Sequence, residues 1–265
     1  MRKLNEICGA VRNKRPLIHC ITNPISINQC ANAILAAGAR PIMAEHPAEV
    51  KEITETADAL MLNLGSITDA RMQSMEISLR VAKEKGIPVV LDAVGAACSG
   101  LRREFTIRLL EGAVPTILKG NYSEIYALHR AAYRASGVDA DSTLTEDEVR
   151  EAAGGLARKY STTVLASAKT DIVTDGTWYA LIRNGTPQLA SVTGTGCMLG
   201  ALCGTYVTVC PGMEAATAAC AVLGTCGQMA ETPKGSGTFM VNLLDALSTA
   251  AGTQLEELMN VEEIP

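Results

Sequence analysis

The chain has 265 residues, of which 48% are hydrophobic, so it has enough apolar material for a sizeable folded core. Its formal net charge of -5 and its 3% aromatic content disfavour nucleic acid as a partner, because that class of ligand needs clustered cations and stacking rings. Nine cysteines without a secretory leader predict reduced thiols and a cytoplasmic protein.

The first two thirds of the chain alternate between short apolar runs and amphipathic stretches, which is typical of parallel strands joined by helices. The predicted strands are Leu17–Ile21, Pro41–Met43, Ala59–Asn63, Pro88–Asp92, Thr116–Lys119 and Thr163–Ser167. Helices are predicted to begin near Pro24, Pro47, Thr68, Asn121 and Thr145, and two of them to close at Gly38 and Gly86. This pattern predicts an α/β fold, whose ligands bind beyond the carboxyl ends of the strands.

The last third of the chain has a different pattern. Asp175-Gly176 and Asn184-Gly185 predict two tight hairpin turns, so we expect the sheet to end in antiparallel strands. Three helices are then predicted, at Gly196–Val209, Pro211–Glu231 and Phe239–Met259. Because no linker or change of composition divides the chain, residues 1–265 are expected to form a single domain.

One uncharged stretch, from Asn184 to Met213, raises the question of a membrane helix. It is rich in Gly, Thr, Cys and Ala and is interrupted by Pro187 and Pro211, whereas a spanning helix needs about 20 strongly apolar residues. We therefore expect a tightly packed buried helix and no membrane partner.

The turn Val192–Cys197 leads through two glycines, Gly194 and Gly196, into the start of a predicted helix. Such a turn presents backbone N–H groups to an anion. A thiol in the first helical turn is expected to have a lowered pKa, because the helix dipole favours the thiolate. A buried structural cysteine is the alternative interpretation of Cys197, and it applies to most of the other cysteines.

Polar residues end several of the predicted strands. Asp92 follows one apolar run, Asn63 follows another, and an acidic strand end often binds magnesium. Asn121 and Glu124 follow the strand that ends at Lys119, but an Asn with a Glu three residues later also forms a capping box. A role of Glu124 as a helix cap therefore stays open beside a role as a ligand.

Other common signals of chemistry are weak. Asn23 closes the first strand and could be a cap or a ligand contact. There is no P-loop and no dinucleotide fingerprint, so a nucleotide would have to bind in another way. The three histidines, His19, His46 and His129, are too dispersed to form a metal cluster.

Several motifs together resemble those of hydroxyethylthiazole kinases, which belong to the ribokinase-like superfamily. The motifs run in family order from about Asn5 to Ala250: His19–Asn23, Pro41–Ala44, Asn63–Gly65, Val90–Asp92, Gly120–Glu124, Gly137–Asp139, Val192–Leu199 and Gly235–Phe239. The resemblance implies a three-layer αβα ribokinase-like fold with a mostly parallel central sheet and antiparallel strands at one edge. Members of the superfamily usually have Asp at the position of Cys197, whereas the hydroxyethylthiazole kinases have Cys there. Cys197 is therefore the residue by which this chain resembles the hydroxyethylthiazole kinases in particular.

The resemblance also implies the chemistry of the site. Cys197 would be the general base, and the backbone from Gly194 through Gly196 to Cys197 would stabilise the transferring phosphoryl group of ATP. Asp92 and Glu124 would bind Mg2+. The acceptor would be the hydroxyl of 4-methyl-5-(2-hydroxyethyl)thiazole, in a step of thiamine biosynthesis or salvage.

By the same resemblance, the thiazole pocket would be formed by Asn23, Met43, Gly65 and Gly194, and ATP would contact Lys119, Asn121 and Ser167. Four positions depart from the family pattern, with Lys119, Ser167, Ala168 and Ala93 standing where Arg, Thr, Gly and Pro are usual. Because all four lie on the nucleotide side, we expect nucleotide affinity to change more than the chemistry.

The resemblance also implies an oligomeric state, because members of the family are homotrimers with active sites at the subunit interfaces. Two alternatives remain at this point. One is a sister kinase of hydroxymethylpyrimidine or pyridoxal, and the other is a thiazole- or nucleotide-binding protein without catalysis, for which the four departures argue.

Overall fold

Nine strands form one sheet in the computed structural model of the protein, which describes residues 2–130, 132–133 and 144–265. The strands are β1 Leu17–Ile21, β2 Arg40–Ile42, β3 Ala59–Asn63, β4 Val89–Asp92, β5 Ile117–Asn121, β6 Thr163–Ser167, β7 Asp171–Thr174, β8 Tyr179–Ile182 and β9 Val261–Ile264. Their order is β2-β1-β3-β4-β5-β6-β7-β8-β9. Pairing is parallel from β2 to β6 and antiparallel from β6 to β9, which confirms the predicted antiparallel edge.

Helices cover both faces of this sheet. Their bounds are α1 Leu4–Lys14, α2 Ile27–Ala36, α3 Val50–Thr56, α4 Asp69–Lys85, α5 Gly100–Gly112, α6 Tyr122–His129, α7 Glu146–Tyr160, α8 Thr195–Tyr206, α9 Gly212–Met229, α10 Ser236–Thr249 and α11 Gly252–Leu258. The predicted caps Thr68, Asn121 and Thr145 each accept a hydrogen bond from a first-turn amide. The family motif Gly137–Asp139 lies outside the described residues.

Side chains that alternate along the strands divide the core into two layers. Ile18 and Met61 pack with α1, α2 and α8 to α11 on one face of the sheet. Ile21, Leu60 and Leu62 pack with α4 to α7 on the other face. Because both faces are covered by helices, the central strands are apolar at nearly every position, and the predicted three-layer αβα architecture is confirmed.

The structure corrects two local predictions in the last third of the chain. No hairpin forms at Asn184-Gly185, where the chain leaves β8 and enters a 3-10 helix at Pro187–Ser191. The side chain of Asn184 instead donates to the carbonyl oxygen of Leu258 and accepts from the amide of Asn260, so that β9 becomes the next partner of β8. Strand β9 was not predicted, because its four residues carry no pattern of their own.

The helix predicted at Phe239–Met259 is two helices, α10 and α11. Extended backbone at Ala250 and Ala251 separates them, and Gly252 then packs directly against Asn5 of α1. A Cβ at Gly252 would lie 2.5 Å from the Cα of Asn5, so contact with the distant α1 determines where the chain bends. The early helices α1 and α5 were also not predicted.

The uncharged stretch forms α8, which is buried from Cys197 to Tyr206 against the centre of the sheet. Small residues allow this close approach, as predicted. Within the described ranges, no helix is both long enough and apolar enough to cross a lipid bilayer.

Two glycines test how closely the helices pack. A Cβ at Gly224 of α9 would lie 2.7 Å from backbone atoms of Asn184, whereas one at Gly9 of α1 would meet no described atom within 4 Å. We expect Gly224→Ala to lower the free energy of unfolding by about 1–3 kcal/mol. Gly9→Ala should raise the free energy of unfolding by about 0.5–1 kcal/mol, because alanine reduces the conformational entropy of the unfolded chain. Urea denaturation of both variants measures this difference, and equal stability would show that the α9 contact is looser than described.

Candidate active site

Three polar side chains lie in a row across the carboxyl ends of neighbouring parallel strands. Asn63 of β3 is paired in register with Asp92 of β4, and Asp92 is paired with Lys119 of β5. Residues in register point to the same face of a sheet, so the three side chains meet. Asn63 Nδ2 lies 2.9 Å from Asp92 Oδ2, and Lys119 Nζ lies 3.0 Å from Asp92 Oδ1. We call this set the polar row.

The first turns of α8 cover the polar row. Gly200 permits the approach, since a Cβ there would lie 2.6 Å from Met61 Cε and 3.3 Å from Asp92 Oδ2. One turn earlier, Cys197 Sγ lies 3.3 Å from Asn63 Nδ2. The thiol and the polar row therefore form one continuous hydrogen-bonded group.

Burial governs the electrostatics of the row, because Asp92 is fully buried and Lys119 is only 3% exposed. Burial raises the pKa of the Asp92 carboxyl, against the opposing effects of Lys119 and Asn63. Burial alone would lower the pKa of Lys119, but the charges of Asp92 and Glu124 raise it above its ordinary value. Lys119 is thus held as an ammonium ion, and it pairs with a carboxylate that water does not reach.

The expected lowering of the Cys197 pKa is wrong. Burial and the negative charge of Asp92 raise the pKa of this thiol, and they outweigh the lowering effects of Ser26, Lys119 and Asn63. The helix dipole acts on an exposed first turn, but here the sulfur is buried beside a carboxylate. Cys197 is therefore held mainly as a thiol in the structure described.

The N-terminus of α8 is open, as the glycine turn predicts. Gly194 occupies the cap position with φ of 92°, a left-handed conformation that favours glycine, and among the described residues no side chain caps the helix. A Cβ at Gly196 would meet no described atom within 4 Å. The first-turn amides lack helical partners, so they can donate to an anionic ligand.

The position of Glu124 fits both of the roles that the sequence left open, as a helix cap and as a ligand. Its Oε2 accepts from the amide of Asn121 at 2.7 Å and completes the predicted capping box of α6. Its Oε1 accepts from the amide of Gly95 at 2.7 Å, which connects α6 to the loop after Asp92. Burial and then the charge of Asp92 raise the pKa of Glu124 to about 7, so the two carboxylates interact unfavourably.

The pair of carboxylates suits a hard divalent cation. Mg2+ prefers carboxylate oxygens and keeps water or phosphate as its other ligands, so one or two protein groups are enough. A cation near Asp92 and Glu124 would also relieve their mutual repulsion. In the described part of the chain, no three His, Cys, Asp or Glu side chains are grouped so as to hold a metal by themselves.

Three of the four residues predicted to bind the acceptor make close contacts near the start of α2. The Asn23 side chain packs on Gly65, where a Cβ would lie 2.5 Å from Asn23 Nδ2. Gly194 packs on Ser26 at the start of α2, with a Cβ position 3.1 Å from Ser26 Cβ. The described contacts of Met43 are with the core on the α8 face, where it is partly buried.

The residues predicted to contact ATP lie at the ends of β5 and β6. Asn121 and Ser167 are paired in register, and Ser167 Oγ donates to the carbonyl oxygen of Gly120 at 3.4 Å. The amide of Ala168 is bound by Asp171 Oδ1 at 3.1 Å. Lys119 differs from these residues, because its ammonium group lies inside the polar row and contacts Asp92.

From the sequence, Asn63 was only an amide at the ligand edge, and Ser26 was not predicted to belong to the site. The signal for Asn63 was its place at the end of β3, equivalent to that of Asp92 in β4. No comparable pattern marks Ser26, which reaches the thiol only through the packing of α2 against α8. His19 is structural, as expected, with its ring nitrogens 2.9 Å from Thr54 Oγ1 and from the carbonyl oxygen of Ala44.

Comparison with known proteins gives a consistent result. Residues 8–252 match the hydroxyethylthiazole kinase family. A relative called hydroxyethylthiazole kinase 2, from Clostridium botulinum (strain Langeland), is 44% identical over 245 residues, which cover 91% of this chain and 92% of the relative. A hydroxyethylthiazole kinase of Finegoldia magna is 37% identical over 264 residues, which cover 100% of this chain and 98% of the relative.

Solved structures agree with the fold. A hydroxyethylthiazole kinase protein from Pyrococcus horikoshii OT3 has a TM-score of 0.90 at 34% identity and covers 99% of both chains. A ribokinase-like superfamily protein from Enterococcus faecalis has a TM-score of 0.66 at 12% identity, covers 94% of both chains and supports the fold alone. With a match over most of its length, the chain belongs to the hydroxyethylthiazole kinase family, a group of enzymes with the ribokinase-like fold.

Proposed function

We propose that the protein transfers the γ-phosphate of ATP to the primary hydroxyl of 4-methyl-5-(2-hydroxyethyl)thiazole, for thiamine biosynthesis or salvage. The observation that carries the proposal is the position of Cys197, at the uncapped start of α8 and joined to the polar row. In the reaction the hydroxyl loses its proton, a new O–P bond forms, and the bond to ADP breaks.

The acceptor would bind between the ends of β1 and β3 and the glycine turn of α8. Asn23 would supply a polar group there, while Gly65 and Gly194 allow the Asn23 side chain and Ser26 to pack closely at the edge of this pocket. Met43 would add a polarizable thioether on the same edge of the sheet. In this arrangement the hydroxyethyl arm would lie near Cys197.

Cys197 would take the proton of the acceptor hydroxyl. Only the thiolate can do so, and the raised pKa means that this form must be stabilised as the substrates bind. Ser26, Lys119 and Asn63 all favour the thiolate over the thiol. The amides from Gly194 to Cys197 would meanwhile stabilise the charge of the transferring phosphoryl group.

The nucleotide would lie across the ends of β5 and β6, close to Asn121, Ser167 and the ammonium group of Lys119. Asp92 and Glu124 would hold Mg2+ directly or through water, and the ion would neutralise phosphate charge. Because Asp92 already pairs with Lys119 at 3.0 Å, any metal bound there shares the carboxylate with a fixed cation.

Two alternative functions, a sister kinase and a binding protein, can be weighed against this proposal. The fold is shared with pyridoxal kinases, including one of Bacillus subtilis at a TM-score of 0.63 and 17% identity, but the cysteine at position 197 favours the thiazole enzyme. A binding protein without catalysis would explain the departures at Lys119 and Ser167. The convergence of Cys197, Asp92 and Glu124 on one sheet edge argues for catalysis instead.

We also propose a homotrimer and a reducing, cytoplasmic location. Ile25, close to Asn23, is 59% exposed, as is Val241 on α10, and such apolar side chains suit an interface beside the acceptor site. The proposed location is supported by the nine cysteines, all of which are free thiols. Analytical ultracentrifugation measures the assembly, and a monomer at all concentrations would contradict the trimer.

The first experiment is an acceptor comparison. Purified protein with ATP and Mg2+ should release ADP in the presence of hydroxyethylthiazole, and much less with hydroxymethylpyrimidine, with pyridoxal or without acceptor. ADP is measured by a coupled assay. Release dependent on another acceptor would identify a sister kinase, and no release with any acceptor would favour a binding protein.

Replacement of the base tests the role of Cys197. Cys197→Ala should lower kcat by about 100-fold or more, the range of general-base catalysis, while the fold is retained. Cys226→Ala is the matched control, because Cys226 is equally a buried thiol but lies in α9, and its kcat should stay near that of the parent. Steady-state kinetics and thermal melting measure both effects, and full activity of Cys197→Ala would refute the base assignment alone.

Asp92→Asn tests the metal assignment without emptying the site, since the amide oxygen can still accept from Lys119. We expect a lower kcat and a rise of at least about tenfold in the Mg2+ concentration for half-maximal rate. Asp58→Asn is the control, because Asp58 lies at the opposite end of β3 and pairs with Lys14. A magnesium titration at saturating ATP measures this, and an unchanged midpoint would exclude Asp92 as a ligand.

A further inference from the structure

We infer that Asn63 is a positioning residue for the proposed reaction, holding Cys197 Sγ at a fixed place relative to the Asp92 carboxylate. The inference rests on the proposed role of Cys197 as the base. Asn63 itself is fully buried at the end of β3 and sits between the thiol and the carboxylate.

The orientation of the Asn63 amide follows from its third partner. The backbone amide of Gly65 lies 2.9 Å from Asn63 Oδ1, and a backbone N–H can only donate. Oδ1 is therefore the acceptor, and Nδ2 carries the two N–H groups. The contacts of Nδ2 with Asp92 Oδ2 at 2.9 Å and with Cys197 Sγ at 3.3 Å are thus both donations.

Both N–H groups of this amide and one lone pair of its oxygen have partners. Rotating the side chain would leave a buried donor or acceptor unpaired, which is unfavourable. The amide is therefore rigid, and it transmits the position of Asp92 to the sulfur. The loop at Gly65 is also the surface on which Asn23 packs, so the same amide connects the acceptor side to the metal side.

Donation to the sulfur also has a chemical consequence. An N–H that points at Sγ stabilises the thiolate, which is the form able to accept the hydroxyl proton. The proton of the thiol cannot occupy the Asn63 direction, because a donor already points there. The acceptor hydroxyl would therefore approach Sγ from a direction other than that of Asn63.

A double-mutant cycle tests the inference. Asn63→Ala should lower kcat by about 10- to 100-fold, the loss typical of a group that orients a catalytic partner, with the KM values for acceptor and ATP within about twofold. In the Cys197→Ala background the same change should have almost no further effect, because its contribution passes through the sulfur. Asn63→Leu fills the space of the amide and should lose kcat to a similar extent.

Asn184→Ala is the matched control. Asn184 is also a buried amide with three partners, namely Gln228, Leu258 and Asn260, but it lies beyond β8, away from the polar row. This variant should melt at a lower temperature and keep its kcat. Thermal melting of every variant separates loss of fold from loss of positioning.

The outcomes are distinct. If Cys197→Ala loses activity while Asn63→Ala and Asn63→Leu keep theirs, the inference is overturned and the base assignment stands. If the loss from Asn63→Ala persists undiminished in the Cys197→Ala background, Asn63 acts through Asp92 instead of the sulfur, which also overturns the inference. If Cys197→Ala keeps full turnover, it is the proposed role of Cys197 that fails.

Discussion

A carboxylate buried at the centre of the sheet is the constraint on which the site depends. Asp92 has no exposed surface, and an isolated charge in such a place would be strongly unfavourable. Lys119 and Asn63 compensate for it, and both reach it because β3, β4 and β5 are parallel and in register. A shift of one residue in β4 would turn Asp92 to the other face and leave Lys119 unpaired. The register of the sheet therefore determines which polar side chains meet in the site.

The same burial raises the pKa values of the acidic groups of the site. The pKa values of Asp92, Glu124 and Cys197 are all raised, with burial as the largest cause in each. Asp92 also raises the pKa of the other two through its charge. The space near these groups therefore favours an additional positive charge, although Lys119 is present. A site that binds a metal nucleotide benefits from this imbalance, because the entering cation is stabilised by groups that otherwise repel one another.

The residues at the ends of the strands could be predicted from the sequence, but their mutual contacts could not. Asp92 and Lys119 each follow an apolar run, which is a local signal, whereas their register joins segments that are far apart in the chain. The predicted turn at Asn184-Gly185 failed for a related reason, since Asn184 is held by residues from the C-terminal end. The lowered pKa expected for Cys197 failed because a helix start shows the dipole but not the burial or the carboxylate beside it.

The raised pKa of Cys197 is compatible with its proposed role as a base. Phosphoryl transfer passes through a loose transition state in most analyses, so the attacking oxygen need not be fully deprotonated when the bond to ADP breaks. The base then has to accept a proton late, and its placement matters more than its thiolate fraction in the resting protein. Asn63 provides that placement, and the amides at the start of α8 lie within one helical turn of the sulfur. In the proposed mechanism, turnover would therefore depend on alignment of the acceptor hydroxyl between these amides and the sulfur.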